Sequence, residues 1–205
     1  MDGFGSTKNV TRISPTLFNR RGKRPITIRG PLHVQCSDHG DERALRHLVE
    51  EVMAWPGIEV EASPLPVGSA DVVSLRVAKD VATDDASVFI SGTEFGRVLF
   101  GAPTIYLTLP LSCAHLAMIR GWAEPHFSSS FGLVPAGVMV VYAPRDEREL
   151  AICRWQFWVS YNFSLREEKK NSAEWNAPLE KTWKIPKSIT PEARSRKLAN
   201  PLRWA

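Results

Sequence analysis

Along the middle of the chain the spacing of apolar residues changes several times, and each change marks an element. In "SDHGDERALRHLVEEVMAW" the pairs Ala44/Leu45, Leu48/Val49 and Val52/Met53 recur every four residues, placing one apolar stripe on a helix that Pro56 and Gly57 end. The period then falls to two. Ile58, Val60 and Ala62 share one face of a strand, and Val73, Leu75 and Val77 share one face of another. "SVFISGTEFGRVLF" predicts a third strand, broken or bulged near Gly92. "TIYLTLP" predicts a fourth, with Ile105, Leu107 and Leu109 on one face and Thr104, Tyr106 and Thr108 on the other. Links this short favour an antiparallel meander over crossovers.

"LSCAHLAMIRG" then reads as a short helix with Ser112 as its N-cap and Gly121 as its end. "GVMVVYAP", apolar almost throughout, predicts a central strand, and "PRDEREL" opens a further helix with Asp146 as cap and Glu149 three residues on. Between Leu150 and Val159 only Arg154 and Gln156 interrupt the apolar run of that helix. It needs cover on more than one side, from the sheet plus a tail or from the sheet plus another subunit. The predicted fold class is α+β: a single, mostly antiparallel sheet packed against two or three helices, with extended basic N- and C-terminal tails.

Charge supports that division. Residues 1–30 hold seven Lys/Arg and one Asp, residues 31–167 ten bases and seventeen acids, and residues 168–205 nine bases and four acids. The expected organisation is therefore a basic extended arm (1–30), an acidic α+β domain (31–167) and a basic tail (168–205). In the tail, Pro178, Pro186, Pro191 and Pro201 exclude a long helix. Its tryptophans Trp175, Trp183 and Trp204 suit either stacking on bases or anchoring in grooves of the body. The acidic body disfavours nucleic acid as a partner. Three scattered cysteines without a CxxC pair predict reduced thiols. No secretory apolar core and no 18-residue apolar span is present, so a cytoplasmic protein without a membrane span is expected.

Candidate chemistry centres on "GWAEPH", where Glu124 and His126 flank Pro125 in what reads as a loop after a helix, with the two side chains free to point apart. Glu94 or Glu124 beside His126 would form a general acid/base pair. Arg145, between a buried strand and a helix start, can clamp an anion or brace Asp146, Glu149 or Glu94. A protein metal centre needs three or more ligands, and His33, His39, His47 and His115 share no spacing that recruits them, so no metal is expected. There is no P-loop, GxGxxG or GxSxG, and no cofactor is expected either.

Four blocks in order, "GTEFGRVLF", "TIYLTLP", "IRGWAEPHF" and "GVMVVYAPRDEREL", resemble the bacterial and fungal "luciferase domain" family, a domain of unknown function, over about Phe18 to Phe163. The family pattern reads T-E-F-x-H-x-H-P, D-G-S-L-H, G-W-x-E-x-H and Y-G-P-R-D-x-x-E-L. Thr93, Glu94, Phe95, Trp122, Glu124, His126 and Arg145 match it, but Arg97, Leu99 and Tyr106 stand where the family has histidines, and Ala102 where it has aspartate. The resemblance implies an inherited polar site that this chain has modified. The leading expectation is a pocket for an unidentified small molecule, lined by Tyr106, Trp122, Glu124, Arg145 and Arg97, with Glu94 and His126 as the proton-transfer pair if the protein is an enzyme. The alternatives are a non-catalytic regulatory or protein-interaction protein that uses the aromatic 150–163 helix and the C-terminal tail, with a homo-oligomer through that helix as one form, and nucleic-acid binding through the tails.

Overall fold

The computed structural model describes residues 17–30, 32–62 and 71–170. Most of the tail expected to carry the anchoring tryptophans lies outside them. In chain order the elements are β1 (Thr27–Ile28), β2 (Val34–Gln35), α1 (Glu42–Met53), β3 (Ile58–Ala62), β4 (Val72–Val77), β5 (Glu94–Leu99), β6 (Thr104–Thr108), α2 (Leu111–Ile119), β7 (Ala123–Pro125), β8 (Val138–Tyr142), α3 (Glu147–Ser164) and the single turn α4 (Glu167–Lys170). Strands β3 to β8 form one six-stranded sheet in the order β3-β4-β5-β6-β8-β7, antiparallel at every pairing. The α+β class expected from the sequence is the observed one.

Alternation sorts the sheet residues onto two faces. Leu75, Val98, Ile105, Leu107, Met139 and Val141 face a core shared with α1 and α3. Asp41 caps α1 by accepting from the Arg43 amide at 2.9 Å, and Leu45, Leu48, Val49 and Val52 of its stripe are buried. Met53, on the same predicted stripe, is exposed. The nearly all-apolar α3 lies over β5 and β6 and against α1, so its own chain supplies the second cover that its composition requires. Ser160 seats it by donating towards the carbonyls of Phe95 and Thr108 at 2.9 and 2.8 Å.

Several local expectations change. Helix α2 starts after Pro110 without a side-chain cap, because Ser112 sits inside the first turn, where its backbone is already helical. Gly121 does end that helix, in a left-handed conformation at φ 76°. The break expected at Gly92 is a tight turn, in which Ile90 N donates to Glu94 O at 2.7 Å. The bulge lies further on. Leu75 pairs with Gly96 and Arg76 with Glu94, leaving Phe95 as the extra residue of β5.

Residues 17–37, which include the described part of the expected extended arm, pack on the body: Leu17 and Phe18 join the helix-side core, and Thr27 to Gln35 lie across the second face of the sheet. Arg20 N bonds Arg120 O at 2.8 Å, and Trp122 Nε1 bonds Phe18 O at 2.7 Å. Strands β1 and β2 pair as a short hairpin, and Gln35 fastens it: its amide donates to Thr104 Oγ1, and its side-chain oxygen accepts from the Ala143 amide. Gly40 permits the close approach that follows, since a Cβ there would stand 1.8 Å from Pro144 O. We call residues 17–37 the strap. No helix among the described residues is long and apolar enough to cross a membrane.

Candidate functional site

Pairing register places Ser74, Arg97, Tyr106, Val140 and Glu124 in one row across β4, β5, β6, β8 and β7, on the face beneath the strap. "GWAEPH" is thus not a loop. Ala123 to Pro125 pair with β8, and the His126 amide continues the ladder to Val138 O at 3.0 Å. Residues two apart on a strand share a face, so Glu124 and His126 point the same way.

The bulge gives the row its ion pair. In a regular strand Glu94 and Arg97, three apart, would lie on opposite faces; the extra Phe95 brings them to the same one. Arg97 then grips the carboxylate with two parallel bonds, Nε to Oε1 at 2.7 Å and Nη2 to Oε2 at 2.8 Å. Glu94 is completely buried. Both of its oxygens are engaged by the one guanidinium.

Glu124 is held differently. Its Oε1 accepts from Thr27 Oγ1 and, at 2.6 Å, from His33 Nε2; its Oε2 accepts from the Tyr142 hydroxyl at 3.2 Å, and exposed Arg29 stands 3.9 Å away. The tautomer of His33 follows from its other nitrogen. Nδ1 accepts from the Phe127 amide at 3.0 Å, so Nε2 carries the proton given to Glu124. Burial alone would push the Glu124 carboxyl up, but the bonds from His33, Thr27 and Tyr142 outweigh it and hold the group down at about 2. Burial and the Glu124 charge raise Tyr142 to about 12, which keeps it a donor.

Between these two carboxylates lie His126 and Tyr106, their rings meeting edge to face with centroids 4.8 Å apart. The His33 ring is 5.7 Å from that of His126. Burial first, then His33 and Arg97, push His126 down to about 4, so it is neutral at pH 7. Its Nδ1 accepts from the Ser128 amide at 3.2 Å and caps the turn 127–131. The single proton therefore sits on Nε2, which has no partner among the described residues. At neutral pH His126 offers a hydrogen-bond donor rather than a free basic nitrogen. Tyr106 is 3% exposed, and burial raises its phenol to about 12. The His33 backbone lies near its hydroxyl, but no group completes a hydrogen bond with it. Ser74 Oγ and Thr108 Oγ1, also on this face, are sealed without partners as well.

Of the residues singled out in the sequence, Glu94, Arg97, Tyr106, Glu124 and His126 share this face. Arg145 and Trp122 are engaged elsewhere. Arg145 Nε donates to Glu149 at 3.0 Å, and Glu149 also receives Arg20 at 3.1 Å. Asp146 caps α3 through the Glu149 amide, while the Glu149 carboxylate turns back to the Arg145 amide instead of closing a capping box. Trp122 is buried in the helix-side core with its edge against Phe18. His33, Thr27 and Tyr142 were not recruited by sequence reasoning. His33 in particular had no motif spacing, because it reaches the site from the strap. Among the described residues no group of three or more His, Cys, Asp or Glu is placed to hold a metal.

Residues 92–160 match the family model described as Luciferase domain, which agrees with the resemblance seen in the motif blocks. That span contains every residue of the sheet row except Ser74, and it excludes the strap. No curated protein and no solved structure matches the chain.

Proposed function

We propose that this Luciferase-domain-like chain binds a small polar molecule on the sheet face beneath the strap, with the Tyr106 hydroxyl and His126 Nε2–H as the hydrogen-bond donors that receive it. The observation that carries this reading is the sealed Tyr106 hydroxyl, which has no hydrogen-bond partner beside His126. A buried hydroxyl without a partner costs about 1–3 kcal/mol, and such groups in folded proteins are normally matched by water or a ligand. Here one stands in ring contact with a neutral imidazole whose other nitrogen is already occupied.

Proton transfer by Glu94 and His126 is the less favoured form of the same reading. To act as a base, His126 would have to give up the Ser128 amide at Nδ1, and Glu94 would have to leave a bidentate arginine. Binding and orientation need neither rearrangement.

A thermal-shift screen of small polar compounds against the full chain and its Tyr106→Phe variant tests the proposal. Compounds that raise the Tm of the native protein should lose most of that shift in the variant. If every stabilising compound acts equally on both proteins, the pocket lies elsewhere and the reading fails.

A further inference from the structure

Resting on the binding site just proposed, we infer that the β1–β2 hairpin of the strap is a lid over it, opening locally to admit the ligand, and that Glu124 is the latch that holds it shut. The need for an opening comes from Tyr106. Its hydroxyl is sealed, the His33 backbone of the strap lies beside it, and Val34 packs on the cluster that Tyr106 forms with Val140. From below, Tyr106 is fixed in β6, which is paired on both sides, with β5 and with β8. A ligand reaches that hydroxyl when the strap, not the sheet, moves away.

The way the hairpin is attached permits this. On either side of it the chain is clamped: Arg20 bonds Arg120 O and Glu149, and Gly40 lies against Pro144, immediately before the Asp41 cap of α1. Between those clamps, among the described residues, no backbone-to-backbone hydrogen bond joins residues 21–40 to the rest of the molecule, and β1 and β2 form a sheet of their own. The ties run through side chains instead. Ile26 and Ile28 are 68% and 60% exposed, so the hairpin buries little apolar area that would hold it down. Segments with few buried apolar contacts open at a lower free energy than the whole fold. Glu124 concentrates the ties. Its Oε1 receives Thr27 of β1 and His33 just ahead of β2, pinning both strands of the hairpin to β7 at one point. Bonds to an ionised acceptor are stronger than neutral ones. Glu124 is thus a positioning residue that holds the strap rather than the ligand.

Amide hydrogen exchange on the 15N-labelled full chain at pH 7.5 tests the lid without any ligand. Three amides distant in sequence bond across the seam between strap and body: Gln35 to Thr104 Oγ1, Phe127 to His33 Nδ1 and Ala143 to Gln35 Oε1. If the hairpin opens as a unit, all three share one protection factor, about tenfold or more below that of Leu107 in β6, with little dependence on urea below the unfolding transition. Thr27→Val removes one donor to the latch and should lower that shared protection by about tenfold. Seam amides that match Leu107 in protection and in urea dependence would overturn the lid, since the strap would then open only with the whole fold. Unchanged seam protection in Thr27→Val would overturn Glu124 as the latch. Both failures are distinct from failure of the binding reading, which stands or falls by Tyr106→Phe in the thermal-shift screen.

Discussion

Two carboxylates are buried on one face of the same sheet, and their charges are met in different ways. Glu94 is neutralised by one arginine three residues along its own strand, through a bidentate contact that a bulge makes geometrically available. Glu124 is solvated by dispersed donors: a threonine and a histidine from the strap and a tyrosine from the next strand. The first arrangement is local and brittle, since removing either partner strands a charge. The second is distributed over distant segments, so it weakens in steps and ties the strap to the sheet.

The largest break in this comparison should come from Arg97→Met. With Glu94 left charged and unpaired in the interior, a loss of about 3–5 kcal/mol in urea unfolding is expected. The double variant Glu94→Leu/Arg97→Met removes the stranded charge and should recover most of that loss, because an apolar pair of similar volume is often neutral relative to a buried ion pair. A double variant as unstable as the single one would show that the bulge, rather than the charge, sets the cost.

Acid should separate Glu124 from its neighbour His126. The carboxyl has a folded pKa near 2 against an ordinary 4.5, so its stabilising contribution is complete above 4.5 and is lost as the pH falls towards 2. His126 is lowered from 6.5 to about 4; its neutral form is favoured by folding, and that contribution is complete above 6.5 and drains away as the pH falls towards 4. Each effect, taken over its whole pH range, is on the order of 3 kcal/mol. Urea midpoints measured from pH 7.5 to pH 3 should therefore decline in two stages. His126→Gln should flatten the upper stage and Glu124→Gln the lower. If Glu124→Gln leaves the slope below pH 4.5 unchanged, the dispersed donors do not hold that carboxylate as the geometry indicates.

The same contrast between local and distant contacts explains what was legible in the sequence. Helix α1 and β6 were readable because each element's period reports its own burial, as in the division of Ile105 and Leu107 from Thr104 and Tyr106, and β8 because a short run apolar throughout marks a strand buried on both faces. The shared face of Glu94 and Arg97 was not, because a one-residue bulge reverses the parity on which such a reading depends. Reading "GWAEPH" as a loop missed that three residues suffice for an edge strand once β8 offers it a ladder. His33 carried no local signal at all. It is recruited by the path of the strap across the sheet, and its partner Glu124 is 91 positions away. Arg145 shows the converse case, a residue with a strong local signal that the structure spends on Glu149.

The smallest expected change is the one that bears most directly on function. Tyr106→Phe removes a sealed hydroxyl and nothing else, so if no internal group satisfies it, the variant should equal the native protein or exceed it by up to about 1 kcal/mol in denaturant unfolding. A destabilisation greater than about 1 kcal/mol would mean that the hydroxyl already has a partner, such as a water held beneath the strap. A gain in stability joined to a loss of ligand response would instead mark Tyr106 as a residue whose unmet bond weakens the free protein and is repaid only on binding. That outcome would extend the comparison to a third kind of buried polar group: Glu94 is satisfied by its neighbour and Glu124 by the fold, whereas Tyr106 is satisfied from outside the chain.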